Sequence, residues 1–234
     1  MTYVSSDLHG YPLEKFLALL DRAGFGEDDY LFIIGDVIDR GDDGIKILKW
    51  MMLQPNVQLI LGNHEAMMLE CDFLFDEVSN ESLAGLGTRQ LTSYYNWKRN
   101  GANPTVDALR ALTPDERADI LEYLREAPLY DAVTIGTRNF VLVHGGLGNY
   151  ERGKRLDEYA DFELLWTRPS LSDNYSFDFI TVFGHTPTCH YSKHFAGRMI
   201  KTATWANIDT GAASGYAPMV LRLDDMKEFY EDQG

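Results

Sequence analysis

Aspartate, asparagine and histidine gather at five places in this chain, each directly after a short apolar run. Asp7 and His9 stand in SDLHG, behind a run from Tyr3 to Ser5. Asp36, Asp39 and Arg40 stand in GDVIDRG after Tyr30 to Ile34, and Asn63 and His64 in GNHE after Val57 to Leu61. His144 heads HGG after Phe140 to Val143, and His185 lies in GHT after Ile180 to Phe183. Four of the six histidines fall in these loops. Imidazole, carboxylate and one amide oxygen form a mixed N/O donor set, suited to manganese, iron, zinc or a similar divalent ion without help from cysteine. Each piece alone reads equally well as a turn: Asp36 and Asp39 can cap a helix, and the glycines can serve the backbone. Together they point to a metal centre. Asp36 is the natural bridge between two ions about 3.5–4 Å apart, a spacing suited to in-line displacement at phosphorus. Two such ions would outweigh the carboxylates of Asp7 and Asp36 and admit a phosphate dianion. A hydroxide shared by the ions would be the nucleophile, because coordination lowers the pKa of water to about 7.

The elements that must position these loops are legible in outline. The five runs, with Ala132 to Ile135 and Met219 to Leu223, read as buried strands. Leu13, Phe16, Leu17 and Leu20 repeat at helical spacing, and Ile45, Leu48 and Met52 mark a second helix. Thr113-Pro114-Asp115-Glu116 announces a third, with a capping hydroxyl, proline in the first turn and Glu at the capping-box position, followed by Ile120, Leu121 and Leu124. Strand and helix alternate early and strands dominate late, which predicts an α/β sandwich with mixed sheets. Functional groups in open α/β sheets collect beyond the carboxyl ends of strands, so the five loops can converge on one crevice. The stretch 75–111, interrupted by Gly85, Gly87 and Gly101, reads as loops and short helices and as a candidate cap.

With 21 basic and 36 acidic residues among 234, the net charge of −15 argues against a module that grips a nucleic-acid duplex. A 45% hydrophobic composition can fill one core, and no linker or repeat divides the chain, so a single domain over residues 1–234 is expected. Cys71 and Cys189 show no framework spacing and read as free thiols of a reducing compartment. With no leader and no apolar stretch of spanning length, the expectation is a cytoplasmic protein with no membrane partner. His190 and His194 are assigned to the surface or to packing. The run DDMKEFYEDQG reads as a solvated acidic tail.

Taken as a set, SDLHG, GDVIDRG, GNHE, HGG and GHT resemble the signature of the phosphoprotein phosphatase family of dinuclear metallophosphoesterases, especially its small bacterial and phage members. LLWTR and NIDTGAA carry the likeness to about Ala213. The resemblance implies an α/β/β/α sandwich of two mixed β-sheets flanked by helices. It implies Asp7, His9 and Asp36 as ligands of one ion and Asp36, Asn63, His144 and His185 as ligands of the other. His64 resembles the general acid, with Asp39 fixing its tautomer. Arg40 and Arg168 resemble the arginines that hold phosphoryl oxygens. One position departs: protein phosphatases of the family usually carry Arg before GNHE, and here that residue is Leu61. Bacterial dinucleoside tetraphosphate hydrolases resemble the chain there. They usually have Asp after the histidine and lack Asp-Arg-Gly, whereas this chain has Glu65 and keeps Asp39-Arg40-Gly41. Arg89 or Arg99 is the candidate replacement for the missing clamp.

The leading expectation is a metal-dependent phosphomonoesterase acting on phosphoserine or phosphothreonine proteins or small phosphoesters. It would use two divalent ions, manganese first, with iron, zinc, cobalt or nickel as alternatives. A second reading, hydrolysis of diadenosine tetraphosphate or a related nucleotide, draws on Leu61 and on Tyr94, Tyr95 and Trp97 as base-stacking rings, although such rings are more often buried. A catalytically silent metal-binding domain is disfavoured, because no ligand position is degraded.

Overall fold

A computed structural model describes residues 1–75 and 87–231. The apolar runs pair into two sheets of five strands each. In the first, β1 (Thr2–Ser5), β2 (Tyr30–Ile34) and β3 (Val57–Ile60) run parallel. The second has a parallel centre of β5 (Arg138–Val143), β6 (Ile180–Phe183) and β8 (Trp205–Asn207), with β4 (Tyr130–Ile135) and β7 (Ile200–Lys201) antiparallel at its edges. Two late strands, β9 (Val220–Arg222) and β10 (Lys227–Phe229), extend the first sheet antiparallel from β1. The strand orders are β10-β9-β1-β2-β3 and β4-β5-β6-β8-β7.

Side chains alternate faces along a strand, and here the alternation sorts them into three apolar layers. Leu31 and Ile33 of β2 face outward into a core shared with α1 (Leu13–Ala23) and α2 (Gly44–Met52). Phe32 and Ile34 face inward, where they meet Phe140 and Leu142 of β5 and Val182 of β6 between the sheets. Val141, Val143 and Phe183 point to the far side, against Leu164 and Trp205. The result is an α/β/β/α sandwich of two mixed sheets. Each fully buried Val, Leu, Ile or Phe contributes about 1.5–3 kcal/mol, so a one-residue register slip in these strands would forfeit several such terms at once.

The remaining helices are α3 (Asn63–Leu69), α4 (Thr88–Arg99), α5 (Asn103–Arg110), α6 (Pro114–Glu126), α7 (Asp161–Leu165) and α8 (Thr188–Tyr191). Thr113 caps α6 as its sequence predicts: its hydroxyl accepts from Glu116 N, and its own N–H donates to the Glu116 carboxylate at 2.9 Å. Of the segment read as loops and short helices, residues 88–110 form mainly the helices α4 and α5, while residues 76–86, including Gly85, lie outside the described residues. One expectation changes. The acidic run near the C-terminus is no solvated tail as far as Glu231: β10 joins the sheet, Phe229 is buried against the first core, and Glu231 accepts from the Tyr11 hydroxyl at 2.9 Å. Cys71 and Cys189 are free thiols. Among the described residues no helix is long and apolar enough to cross a membrane.

Candidate functional site

The loops beyond β1, β2, β3, β5 and β6 meet at one end of the sandwich, at the carboxyl ends of parallel strands. Each turns sharply to aim its side chains inward. Asp7, His9, Asp36, Asp39, Arg40 and His185 all have φ between 45° and 71°, and they make up most of the non-glycine residues in the left-handed region among the described residues. Such a conformation costs about 1–3 kcal/mol per residue and persists only where the surroundings enforce it. Gly184 shows how close the loops come. A Cβ there would lie 1.9 Å from Asp7 Oδ2, so only glycine lets His185 N donate to both Asp7 oxygens at 3.0 Å.

Glu65, in the first turn of α3, locks two of these loops together. Its Oε2 accepts from Asp36 N at 2.8 Å and Gly62 N at 3.1 Å, and its Oε1 from Val37 N at 2.8 Å and Ile38 N at 3.3 Å. It is fully buried, and burial together with the Asp36 carboxylate pushes its pKa up to about 7.

Asp36 occupies the centre. One group of ligand atoms, from His9, Asp36 and His64, lies within 4.8 Å of one another, and so does a second from Asp36, His144 and His185. His144 Nε2 stands 3.3 Å from Asp36 Oδ1, and His9 Nε2 3.6 Å from Asp36 Oδ2. The Asn63 amide oxygen lies 2.8 Å from both His144 Nε2 and His185 Nδ1. The other ring nitrogens of His9 and His144 point at the carbonyls of Ile38, at 3.1 Å, and Ile34, at 2.9 Å, which fixes both ring orientations.

Electrostatics divide the histidines. Burial drives the His9 pKa down to about 3 and that of His185 down as well, leaving both neutral, the form that ligates metal. Burial also opposes charge on His144, but Asp36 and Asp7 outweigh it and push the pKa up to about 10. Asp7 rises to about 6 through burial and the Asp36 charge. Asp36 itself is desolvated, yet His144 and His64 hold it well below the usual carboxylate range. The residues fit divalent cations on one further count: His185 Nε2 is buried with no hydrogen-bond partner, a lone pair that a ligated ion would satisfy.

The first group also contains the candidate acid, His64. His64 Nδ1 donates to Asp39 Oδ2 at 2.6 Å, and Arg40 Nη2 donates to His64 Nε2 at 3.2 Å. Asp39 is fully buried and also accepts from Trp97 Nε1 at 2.8 Å and Thr105 Oγ1 at 2.6 Å. Burial works against the His64 imidazolium, but Asp36 and Asp39 prevail and raise its pKa above the ordinary value. Arg168 is exposed next to His185 and donates to Thr186 Oγ1 at 3.1 Å.

The ten residues assigned a metal-ligand or catalytic role from sequence therefore collect in one place. Missing from that reading are the Glu65 clamp, the Trp97 and Thr105 bonds to Asp39, and Asp209, a buried carboxyl whose pKa burial and Asp7 raise well above the usual range. Only Asp209 carried a readable signal, since it lies in NIDTGAA, one of the segments that carry the family likeness. His190 and His194 join no metal-competent cluster among the described residues. Tyr95 is exposed and Trp97 is committed to Asp39, so neither confirms the stacking idea in its original form.

A family profile for calcineurin-like phosphoesterases matches residues 2–209. The chain belongs to that family. Calcineurin-like phosphoesterases are metal-dependent phosphoric ester hydrolases, and the groups around Asp36 are ones that could hold the divalent ions this implies. One curated relative, a symmetrical bis(5'-nucleosyl)-tetraphosphatase of Buchnera aphidicola, is 41% identical over 70 residues, which span 29% of this chain but only 25% of the relative's own length. A second, the asymmetrical bis(5'-nucleosyl)-tetraphosphatase PrpE of Halalkalibacterium halodurans, is 24% identical over 254 residues, covering 96% of this chain and 90% of its own. The solved structure of a candidate diadenosine tetraphosphatase shares the phosphoesterase fold, with a TM-score of 0.65 over 100% of this chain and 94% of its own at 16% identity.

Proposed function

We propose that the protein hydrolyses dinucleoside tetraphosphates, with diadenosine tetraphosphate as the representative substrate, and acts as one unit over its 234 residues. The supporting observation is the likeness to a tetraphosphatase along 96% of the chain. Leu61, in the place where protein phosphatases of the resembling family carry Arg, agrees with it. This reverses the order of the two readings drawn from sequence, in which a phosphoserine or phosphothreonine substrate came first.

Asp7, His9 and Asp36 would hold one ion and Asp36, Asn63, His144 and His185 the other, with manganese the first candidate. When bound, such ions supply Lewis-acid charge at the phosphoryl oxygens and a nucleophile at neutral pH. The chain's own groups do the rest. Arg40 and Arg168 bring guanidinium forks to the phosphoryl oxygens from the His64 side and the His185 side. Taking up that role requires Arg40 to turn away from His64 Nε2. Asp39 holds His64 with its Nδ1–H occupied, so the protonated ring presents Nε2–H to the departing phosphate oxygen. Trp97 and Thr105 keep Asp39 in place through their hydrogen bonds to its carboxylate.

A competition assay tests the reading: manganese-loaded protein receives diadenosine tetraphosphate and a phosphothreonine peptide together, with a metal-stripped control. The expected result is faster release of nucleotides, as two ADP or as ATP with AMP. Faster release of inorganic phosphate from the peptide would return the function to protein dephosphorylation.

A further inference from the structure

Against the metal-competent cluster lies a cleft of about 460 Å³ whose walls come from α3, α4 and Trp166. A different site residue anchors each wall. Met67 follows His64 by one turn of α3. Asn100, at the end of α4, accepts from Arg40 Nε at 3.4 Å through its carbonyl. Trp166 packs edge-on to the His185 ring, with centroids 5.8 Å apart. The cleft therefore adjoins the groups that would hold the phosphoryl group, through contacts of its lining residues with Arg40 and His185, and its volume is that of a site for a small ligand.

Its chemistry is specific. Trp166 is 41% exposed, whereas Trp97 and Trp205 are fully buried, so an aromatic face is left over at the mouth of the site. The Arg99 side chain makes no hydrogen bond or ion pair among the described residues and lines the cleft with its guanidinium. Asn96 and Glu70 add an amide and a carboxylate, groups that can meet the polar edge of a base or the hydroxyls of a ribose. An aromatic platform with a guanidinium and edge-reading polar groups is the combination that holds a nucleotide; stacking on the ring is sequence-tolerant, and the cation serves the phosphates. Arg99 was a candidate for the clamp missing at Leu61. Its position assigns it instead to a phosphate further along the chain.

We infer that this cleft seats one nucleoside of a dinucleoside polyphosphate, with the base on Trp166 and the phosphate chain passing Arg99 on its way to His64 and Arg40. The inference rests on the tetraphosphatase reading and names its specificity residues.

The test compares diadenosine tetraphosphate with p-nitrophenyl phosphate in manganese-loaded wild-type, Trp166→Ala, Arg99→Ala and Trp166→Phe proteins. In both alanine variants the ratio of kcat/KM for the dinucleotide to that for the aryl phosphate should fall on the order of tenfold, mainly through KM. Trp166→Phe, which keeps a ring, should recover most of the loss. An unchanged ratio in both alanine variants overturns the assignment. So does an equal fall for a phosphothreonine peptide, which would make the cleft a peptide site. If wild-type protein cleaves no diadenosine tetraphosphate, the functional reading fails separately, and binding decides the cleft. Saturable quenching of tryptophan fluorescence by ADP that disappears in Trp166→Phe upholds the nucleotide site; no quenching, or the same quenching in that variant, removes it.

Discussion

Asp39 shows how much one buried carboxylate can set. It receives hydrogen bonds from His64, Trp97 and Thr105, and the surroundings leave it no solvent. Its negative charge and that of Asp36 keep the His64 pKa raised. An acid whose pKa is raised stays protonated to higher pH, so the alkaline limb of kcat should lie above the ordinary histidine value. Replacing Asp39 by Asn removes one of the two charges, lowers the His64 pKa and moves that limb to lower pH, with kcat down by about 10²–10⁴. A pH–rate profile on diadenosine tetraphosphate checks this, and an unmoved limb would detach Asp39 from the titration of His64. His64→Asn should cost a similar factor while metal content, read by elemental analysis, stays near that of the wild type, because the six proposed ligands are untouched. The acid pair was legible because Asp39 and His64 each follow a strand within a short motif. Glu65 was not, since a residue that acts on four backbone N–H groups leaves no pattern of side-chain partners in a sequence.

At the scale of elements, α4 carries two functions on two faces. Trp97 points inward to Asp39, while Asn96, Arg99 and Asn100 line the cleft. Its sequence concealed it for a physical reason. The helical stripe Leu91, Tyr94 and Tyr95 is the one a periodicity search finds, yet Leu91 and Tyr95 are exposed, at 44% and 63%, and the fully buried residue, Trp97, is out of phase with them. By contrast, α1, α2 and α6 turn their apolar stripes to the core, and α6 adds a cap, so their positions were readable. The small strands β7, β8 and β10 were missed because two or three residues cannot display a period. Trp97→Phe keeps most of the ring packing and deletes only the N–H donor. The expected consequence is a fall in kcat of about tenfold, in keeping with one lost hydrogen bond to a charged group, and no change in metal content. A variant with wild-type kcat would make Trp97 a packing residue alone.

At the scale of the molecule, the two sheets divide the site between them. Asp7, His9, Asp36 and Asn63 come from the first, and His144 and His185 from the second, so the site exists only where the sandwich closes. The order of motifs along the chain was enough to foresee that convergence, because parallel strands send all their carboxyl ends the same way. It could not foresee the cleft, whose walls depend on how α3, α4 and α7 pack. The overall charge of −15 has a further consequence, for how a substrate arrives. A tetraphosphate bridge is itself strongly anionic, and it must diffuse through a repulsive field before Arg40, Arg99 and Arg168 can attract it at short range. Raising monovalent salt from about 10 mM to about 150 mM shortens the Debye length from about 30 Å to about 8 Å. That screens the long-range repulsion more than the short contacts, so kcat/KM for diadenosine tetraphosphate should rise with salt, whereas steered association between opposite charges slows. Stopped-flow binding across the same range gives the sign directly: association that slows with salt would mean the arginines govern the approach as well as the grip, and association that quickens would make this an enzyme whose encounter rate is set by the ionic strength around it.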